Sequence, residues 1–297
     1  MSLKLTSKDV VLWNALISRC TEEGQYYEAF SCLERMKSEG ISPNGVTFIC
    51  ILKGCGSVGA STKGNQIEGQ AVNSGFLEKF IELGNTLVNM YTKCGVLKKA
   101  QQILEELPIR DAISWNALIA GCASMGQGHE TLSYFEQMRS EGHSPDAVTY
   151  ISILRACGSI KNSDKGEEIH KVITRHGWLE KDITLGNALT DMYVKCGMIS
   201  KAQEVLEGLH GKDIVSWNAL ISGFAQEGQY EEALGCFQRM QSEGFSPDSI
   251  SFIYILKACA STGAIDKGKY IHSEVVNRGL LVNDMILGNC LLDMYVK

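Results

Sequence analysis

Proline is scarce in this sequence, with only four residues among 297, and all four lie where repeated segments end. Long apolar runs are missing: no stretch approaches the roughly 18 to 20 residues that a membrane-spanning helix needs, so we expect no membrane segment. Positive charge is not in excess either, because 28 Lys and Arg stand against 34 Asp and Glu. This balance argues against binding of a polyanion through net charge, so any nucleic-acid binding must come from local placement of residues.

Paired cysteines of the C-x-x-C type are absent, although the chain contains 11 cysteines. The odd count and the missing motif argue against a disulfide framework or a zinc site, and they fit a reducing compartment. We therefore expect no metal and no cofactor. His, Cys and carboxylate residues at a spacing suited to catalysis are also missing, so we expect no enzyme. His272 and Glu274 match the H-x-E half of a zinc deaminase motif, but the P-C-x-x-C half is absent.

An internal repeat organises the sequence. The segment Trp-Asn-Ala-Leu-Ile begins at Trp13, Trp115 and Trp217, positions that are 102 residues apart. A fixed period indicates an array of units that bury their faces against their neighbours. Apolar residues with helical spacing alternate with Gly and Pro at turn positions within each period. We predict an all-α fold, an α-solenoid of helix-turn-helix repeats stacked into a right-handed superhelix.

Each period divides into three unequal units of 35, 36 and 31 residues. The first-helix asparagines Asn14, Asn85 and Asn116 are 71 and then 31 residues apart, which rules out three equal units of tetratricopeptide length. After a lead-in at 1–9, the predicted units are 10–44, 45–80, 81–111, 112–146, 147–182, 183–213, 214–248, 249–284 and a truncated ninth unit at 285–297.

The unit lengths and motifs resemble the P-L-S class of the pentatricopeptide-repeat family, in which units of types P, L and S alternate. The similar segments are 213–221 for P, 255–259 with 268–272 for L, and 185–189 with 192–197 for S. The resemblance implies binding of single-stranded RNA, one base per repeat. It also implies a role in RNA processing in the mitochondrion or chloroplast, such as cytidine-to-uridine editing. An accessory editing-factor protein, or a deaminase domain supplied elsewhere, is then the expected partner.

In this family the fifth and last residues of a unit select the base. An Asn amide suits that task because it carries a donor and an acceptor, whereas an ionised Asp only accepts. A lone Asn near a helix start is more often a cap, but recurrence at matched positions favours base contact. The resemblance implies these base-selecting residues: Asn14 with Asn44, Asn85 with Asp111, Asn116 with Asp146, Asn187 with Asp213, Asn218 with Asp248, and Asn289.

The L units carry Ile49, Ile151 and Ile253 in place of Asn, so we leave their bases unspecified. Read from the 5′ end in chain order, the implied target is C-N-U-U-N-U-U-N. The family also holds each base between the second residues of adjacent units. Here these are Val11, Val46, Ile113, Val148, Thr184, Val215, Ile250 and Ile286, while Glu82 departs from the apolar pattern.

Lysines recur at one position of the S units, namely Lys93, Lys195 and Lys297. The resemblance implies that they contact RNA phosphates, whereas the plainer alternative is a recurrent solvated lysine. A protein-interaction α-solenoid scaffold is the alternative function for the whole chain. Retention of a partner protein without RNA would favour that alternative.

Overall fold

The structure, a computed structural model, describes residues 9–209, 211–282 and 284–296. These ranges contain seventeen α-helices, one short 3-10 helix at Leu280–Val282 and no strand, which confirms the predicted all-α fold. None of these helices is long and apolar enough to cross a membrane. The chain divides after Ser152 into two compact units, which we describe separately.

The first compact unit contains four consecutive helix pairs. Helices α1, α3, α5 and α7 are the first helices of these pairs, and α2, α4, α6 and α8 are the second helices. Their bounds are α1 Val10–Glu22, α2 Tyr26–Ser38, α3 Gly45–Val58, α4 Ser61–Asn73, α5 Ile81–Lys93, α6 Leu97–Glu106, α7 Ala112–Ser124 and α8 Gly128–Ser140. The division between the compact units falls within α9, Ala147–Ser159.

The second compact unit continues the alternation of first and second helices. Its helices are α10 Ser163–Arg175, α11 Ile183–Lys195, α12 Ile199–Gly208, α13 Ile214–Gln226, α14 Tyr230–Ser242, α15 Ser249–Thr262, α16 Ile265–Asn277 and α17 Met285–Val296. In both compact units a first helix packs on its own second helix and on the first helix of the next pair, as α11 packs on α12 and α13. Neighbour-to-neighbour packing of this kind defines an α-solenoid.

The core of each pair lies between its two helices. The three repeated tryptophans, Trp13, Trp115 and Trp217, are at most 2% exposed. Burying side chains of this size supplies much of the hydrophobic free energy of each pair. The predicted helical spacing therefore identifies the buried face.

Glycine ends the first helices of the matching pairs. Gly24, Gly126 and Gly228 all have φ between 73° and 75°, in the left-handed region that glycine adopts without a steric penalty. The residue after Gly228 then donates its backbone N–H to Phe224 at 2.8 Å, the six-to-one bond of a Schellman motif. This turn reverses the chain into the second helix.

Candidate nucleic-acid interface

The last residue of a predicted unit is the N-cap of the next first helix. Asn44, Asp111, Asp213 and Asp248 cap α3, α7, α13 and α15, each within a capping box. In such a box a side-chain oxygen accepts a hydrogen bond from the backbone N–H three residues later. The cap therefore holds each of these side chains in one orientation at the start of a helix.

The asparagines predicted to select bases lie inside first helices. None of the five that have a predicted partner is an N-cap. Each donates its side-chain amide to the last residue of its own unit, so the structure brings all five predicted pairs together. The donor–acceptor distances are 3.1 Å for Asn14–Asn44, 3.0 Å and 3.1 Å for Asn85–Asp111, 2.9 Å for Asn116–Asp146, 3.1 Å for Asn187–Asp213 and 3.0 Å for Asn218–Asp248. Asn289 lies exposed on α17.

The carboxylates that accept these hydrogen bonds at the ends of the S units have pKa values below the ordinary value. Burial of the Asp111 carboxyl opposes ionisation, but hydrogen bonds from the Ser114 backbone and the Asn85 amide outweigh it and hold the pKa below its ordinary value. The pKa of Asp213 is lowered in the same way, against burial, by hydrogen bonds from Ser216 and Asn187. Both carboxylates are therefore acceptors at neutral pH.

Two cavities, one in each compact unit, are lined by residues of these pairs. The first encloses about 820 Å³ and is lined by Asn85, Asp111 and Asn116. The second encloses about 460 Å³ and is lined by Asn187, Asp213 and Asn218, the residues 102 positions later. Each cavity thus contains the asparagine of one S unit and that of the following P unit. These open grooves are large enough for small planar groups such as nucleobases.

Exposed apolar side chains flank the cavities. Ile113 and Val148 line the first cavity, and Val215 and Ile250 line the second. Because two such side chains lie together beside each cavity, they make each cavity a candidate binding surface. The predicted base-holding positions have these exposures: Val11 65%, Val46 48%, Ile113 66%, Val148 53%, Val215 56%, Ile250 53% and Ile286 63%. Thr184 is exposed as well.

Glu82 differs from the other residues at these positions because it forms an ion pair. Its carboxylate lies 3.7 Å from the Lys53 ammonium, and both residues line the first cavity. Arg155 takes the place of Lys53 in the second cavity, where Thr184 replaces Glu82. The predicted phosphate contacts do not include Lys53 or Arg155, although these basic residues recur 102 positions apart in the sequence.

The recurrent S-unit lysines lie on the C-terminal turns of α5 and α11. Their stems pass over glycines of the preceding L unit, since a Cβ on Gly56 would lie 3.4 Å from Lys93 Cδ and one on Gly158 would lie 3.1 Å from Lys195 Cδ. Lys195 also pairs with Asp191 at 2.7 Å. Lys297 lies outside the residues that the structure describes.

The recurrent cysteines and histidines have structural surroundings. Cys55, Cys157 and Cys259 are buried, and burial raises the pKa of the Cys157 thiol to about 12, which keeps it protonated. His272 Nδ1 lies 2.9 Å from the Tyr295 hydroxyl, and Glu274 forms an ion pair with Arg278. Across the described ranges no group of His, Cys, Asp and Glu side chains is arranged to hold a metal ion.

The helix pairs, the buried tryptophans and the paired asparagines together define a helical-repeat protein with a lined groove. The PPR repeat family profile matches residues 8–57, 110–159 and 212–261, and the PPR repeat profile matches 85–110 and 187–214. The chain belongs to the PPR, or pentatricopeptide-repeat, family.

Similar proteins match most or nearly all of this chain. A chloroplastic pentatricopeptide repeat-containing protein of Arabidopsis thaliana is 37% identical over 86% of this chain, and another is 32% identical over 99%. The chain spans only 41% and 34% of the length of these two relatives. The crystal structure of the pentatricopeptide repeat protein PPR10 from maize matches 97% of this chain and 42% of its own, with a TM-score of 0.81 and 22% identity. PPR10 in complex with an 18-nt psaJ RNA element matches with a TM-score of 0.80 and 23% identity over 92% of this chain and 41% of its own.

Proposed function

We propose that this chain is a P-L-S class pentatricopeptide-repeat array that binds single-stranded RNA by sequence, one base per repeat. The proposed target is 5′-C-N-U-U-N-U-U-N-3′, and the proposed role is organelle RNA processing such as cytidine-to-uridine editing. The observation that carries the proposal is the set of five Asn pairs, because the asparagines of four of them line two matching cavities beside exposed apolar side chains.

The chemistry of the pairs suits a pyrimidine. Each paired Asn donates one amide hydrogen to its partner and keeps the other for a base carbonyl. The adjacent apolar side chains suit the two faces of a base. Burial of base faces against these side chains adds hydrophobic free energy at every unit, so several units together would supply useful affinity. In a chain with a net charge of −6, such local contacts have to replace bulk attraction.

The relatives support the proposed partner and location. PPR10 from maize is described in complex with RNA, and two similar Arabidopsis thaliana proteins are named chloroplastic. We propose that the chain acts as a binding module in the chloroplast or mitochondrion. Any editing chemistry would come from an accessory editing-factor protein or a deaminase domain supplied elsewhere.

Fluorescence anisotropy with labelled eight-nucleotide RNAs tests the function. We expect the proposed target to bind more tightly than a purine-rich RNA of the same length. Equal affinity for both RNAs would contradict sequence-specific binding. Retention of a protein partner with no RNA binding would favour the scaffold alternative.

Substitution of one selecting residue tests the base assignment. Asn116→Thr leaves its partner Asp146 in place, and the family pairs Thr and Asp with guanine. We expect the preferred fourth base to change from uracil to guanine, while preferences at the other positions remain. The matching substitution Asn218→Thr should change only the seventh base. An unchanged fourth base would show that the unit assignment is wrong.

A further inference from the structure

The side-chain carbonyls of the paired asparagines fall into two sets. In the P units, Oδ1 accepts a hydrogen bond from a hydroxyl on the next first helix: Thr47 to Asn14 at 2.6 Å, Thr149 to Asn116 at 2.5 Å and Ser251 to Asn218 at 2.6 Å. In the S units, Oδ1 of Asn85 and of Asn187 is buried and has no hydrogen-bond partner among the described residues. The two kinds of unit therefore hold the same amino acid differently.

Residue type does not explain this difference, because serine appears in both sets. Ser216 and Ser251 occupy the same position of a capping box. The Ser216 hydroxyl lies 2.9 Å from Asp213 Oδ1 and 3.1 Å from the Asp213 carbonyl oxygen, whereas Ser251 lies 2.6 Å from Asn218 Oδ1. The difference comes from the length of the unit that separates the two residues. Asn218 precedes Ser251 by 33 residues, but Asn187 precedes Ser216 by only 29.

The hydroxyl restricts how the P-unit asparagine can present its amide. Asn218 donates Nδ2–H to Asp248 at 3.0 Å and accepts from Ser251, so rotation of the amide about χ2 would break two hydrogen bonds. Its remaining strong donor is the second Nδ2–H, which matches a base carbonyl such as uracil O4. Asn187 has only the Asp213 contact, and its carbonyl contributes no restraint.

We propose that the hydroxyl at the third residue of each L unit positions the asparagine of the preceding P unit, so that P units discriminate between bases more sharply than S units. Thr47, Thr149 and Ser251 are then positioning residues that act through Asn14, Asn116 and Asn218. The inference rests on the proposed RNA binding and adds a determinant of specificity to it.

Ser251→Ala and Ser216→Ala form a matched pair for the test. Both variants lose the same capping-box hydroxyl, but only Ser251→Ala removes a bond to a base-selecting asparagine. Affinities are measured for the proposed RNA and for RNAs with adenine at the sixth or the seventh base. We expect Ser251→Ala to lower the preference for uracil at the seventh base about 3- to 10-fold, the range of one lost hydrogen bond. Ser216→Ala should leave the preferences at both bases within about twofold of wild type.

Two further variants separate positioning from folding. Ser251→Thr keeps the hydroxyl, as Thr47 and Thr149 do, and should retain the wild-type preference. Thr149→Val, measured at the fourth base, repeats the experiment in the other compact unit if Ser251→Ala melts below the assay temperature. A uniform loss of affinity for all RNAs, or an unchanged preference at the seventh base, would overturn the inference alone. If wild type binds no RNA selectively, the proposed function fails and the inference fails with it.

Discussion

At the scale of single residues, the repeat supplies its own comparisons. Asp191 pairs with Lys195 and lines the second cavity, whereas the matching residue in the first cavity is Asn89, 102 positions earlier. An exposed ion pair of this kind contributes little to folding stability. A carboxylate beside a proposed phosphate contact, however, opposes binding of a polyanion. The pair therefore has more effect on the ligand than on the fold.

We predict that Asp191→Asn strengthens RNA binding about 2- to 5-fold near 0.1 M salt, with a smaller gain at higher salt. Anisotropy titrations at several salt concentrations measure the effect. Glu232→Gln, which makes the same charge change at an exposed position of the second helix α14, is the control and should give a smaller gain. Equal gains from the two variants would mean that only net charge matters.

A second residue-scale prediction concerns the dependence of folding stability on pH. The lowered pKa of Asp213 means that its hydrogen bonds stabilise the ionised form in the folded chain. That stability is fully present above the unfolded pKa of about 3.9 and is lost as pH falls through the lower folded pKa. Asp213→Asn resembles the protonated acid, so we expect it to melt at a lower temperature than wild type at pH 7. The difference in melting temperature between the two proteins should narrow progressively below about pH 4. A gap independent of pH would contradict the assigned cause, and thermal melts followed by circular dichroism measure it.

At the scale of helices, neighbouring first helices approach closely where one of them carries a glycine, which has no Cβ. A Cβ on Gly223 of α13 would lie 2.9 Å from both methyl carbons of Val194 on α11, whereas a Cβ on Gly235 of α14 would meet nothing within 4 Å. We predict that Gly223→Ala destabilises the fold by about 1 to 3 kcal/mol through overpacking. Gly235→Ala should stabilise it by about 0.5 to 1 kcal/mol, because alanine is the better helix former. Urea unfolding of both variants measures this, and a stable Gly223→Ala protein would show that the helices can shift apart.

The helices were predictable from the sequence, because Trp217 and its helical neighbours recur every 102 residues between Gly and Pro turns. The five Asn pairs were also predictable, but only through the family resemblance. The ion pair between Lys53 and Glu82 was not, because it joins two helices whose separation along the chain is unrelated to their spacing in the fold. The hydrogen-bond partner of each Asn side-chain carbonyl could not be predicted either. Ser216 and Ser251 are the same amino acid in the same motif, and only the geometry of the connection between neighbouring units decides which of them reaches the Asn.

At the scale of the whole molecule, the repeat has consequences for deletion. In a solenoid each unit contacts mainly the units next to it. A deletion that replaces one neighbour by another of the same type therefore preserves the contacts of the unit. Removal of residues 112–213 would join Asp111 to Ile214, and both Asp111 and Asp213 are N-caps that bind a serine backbone three residues later. Helices α5 and α6 would then meet α13 as α11 and α12 do.

We predict that the chain lacking residues 112–213 folds cooperatively with the same helix content per residue, and binds 5′-C-N-U-U-N-3′ with lower affinity than the full chain binds its longer target. The lower affinity follows from the smaller number of bases that the shortened groove contacts. Deletion of 112–209 is the control, because it removes 98 residues rather than the 102-residue period and lengthens the connection between α6 and α13 by the four residues 210–213. That chain should melt at a lower temperature and show weaker cooperativity. Circular dichroism melts and anisotropy with the short RNA measure both outcomes, and equal behaviour of the two deletions would mean that the stacking contacts do not follow the repeat.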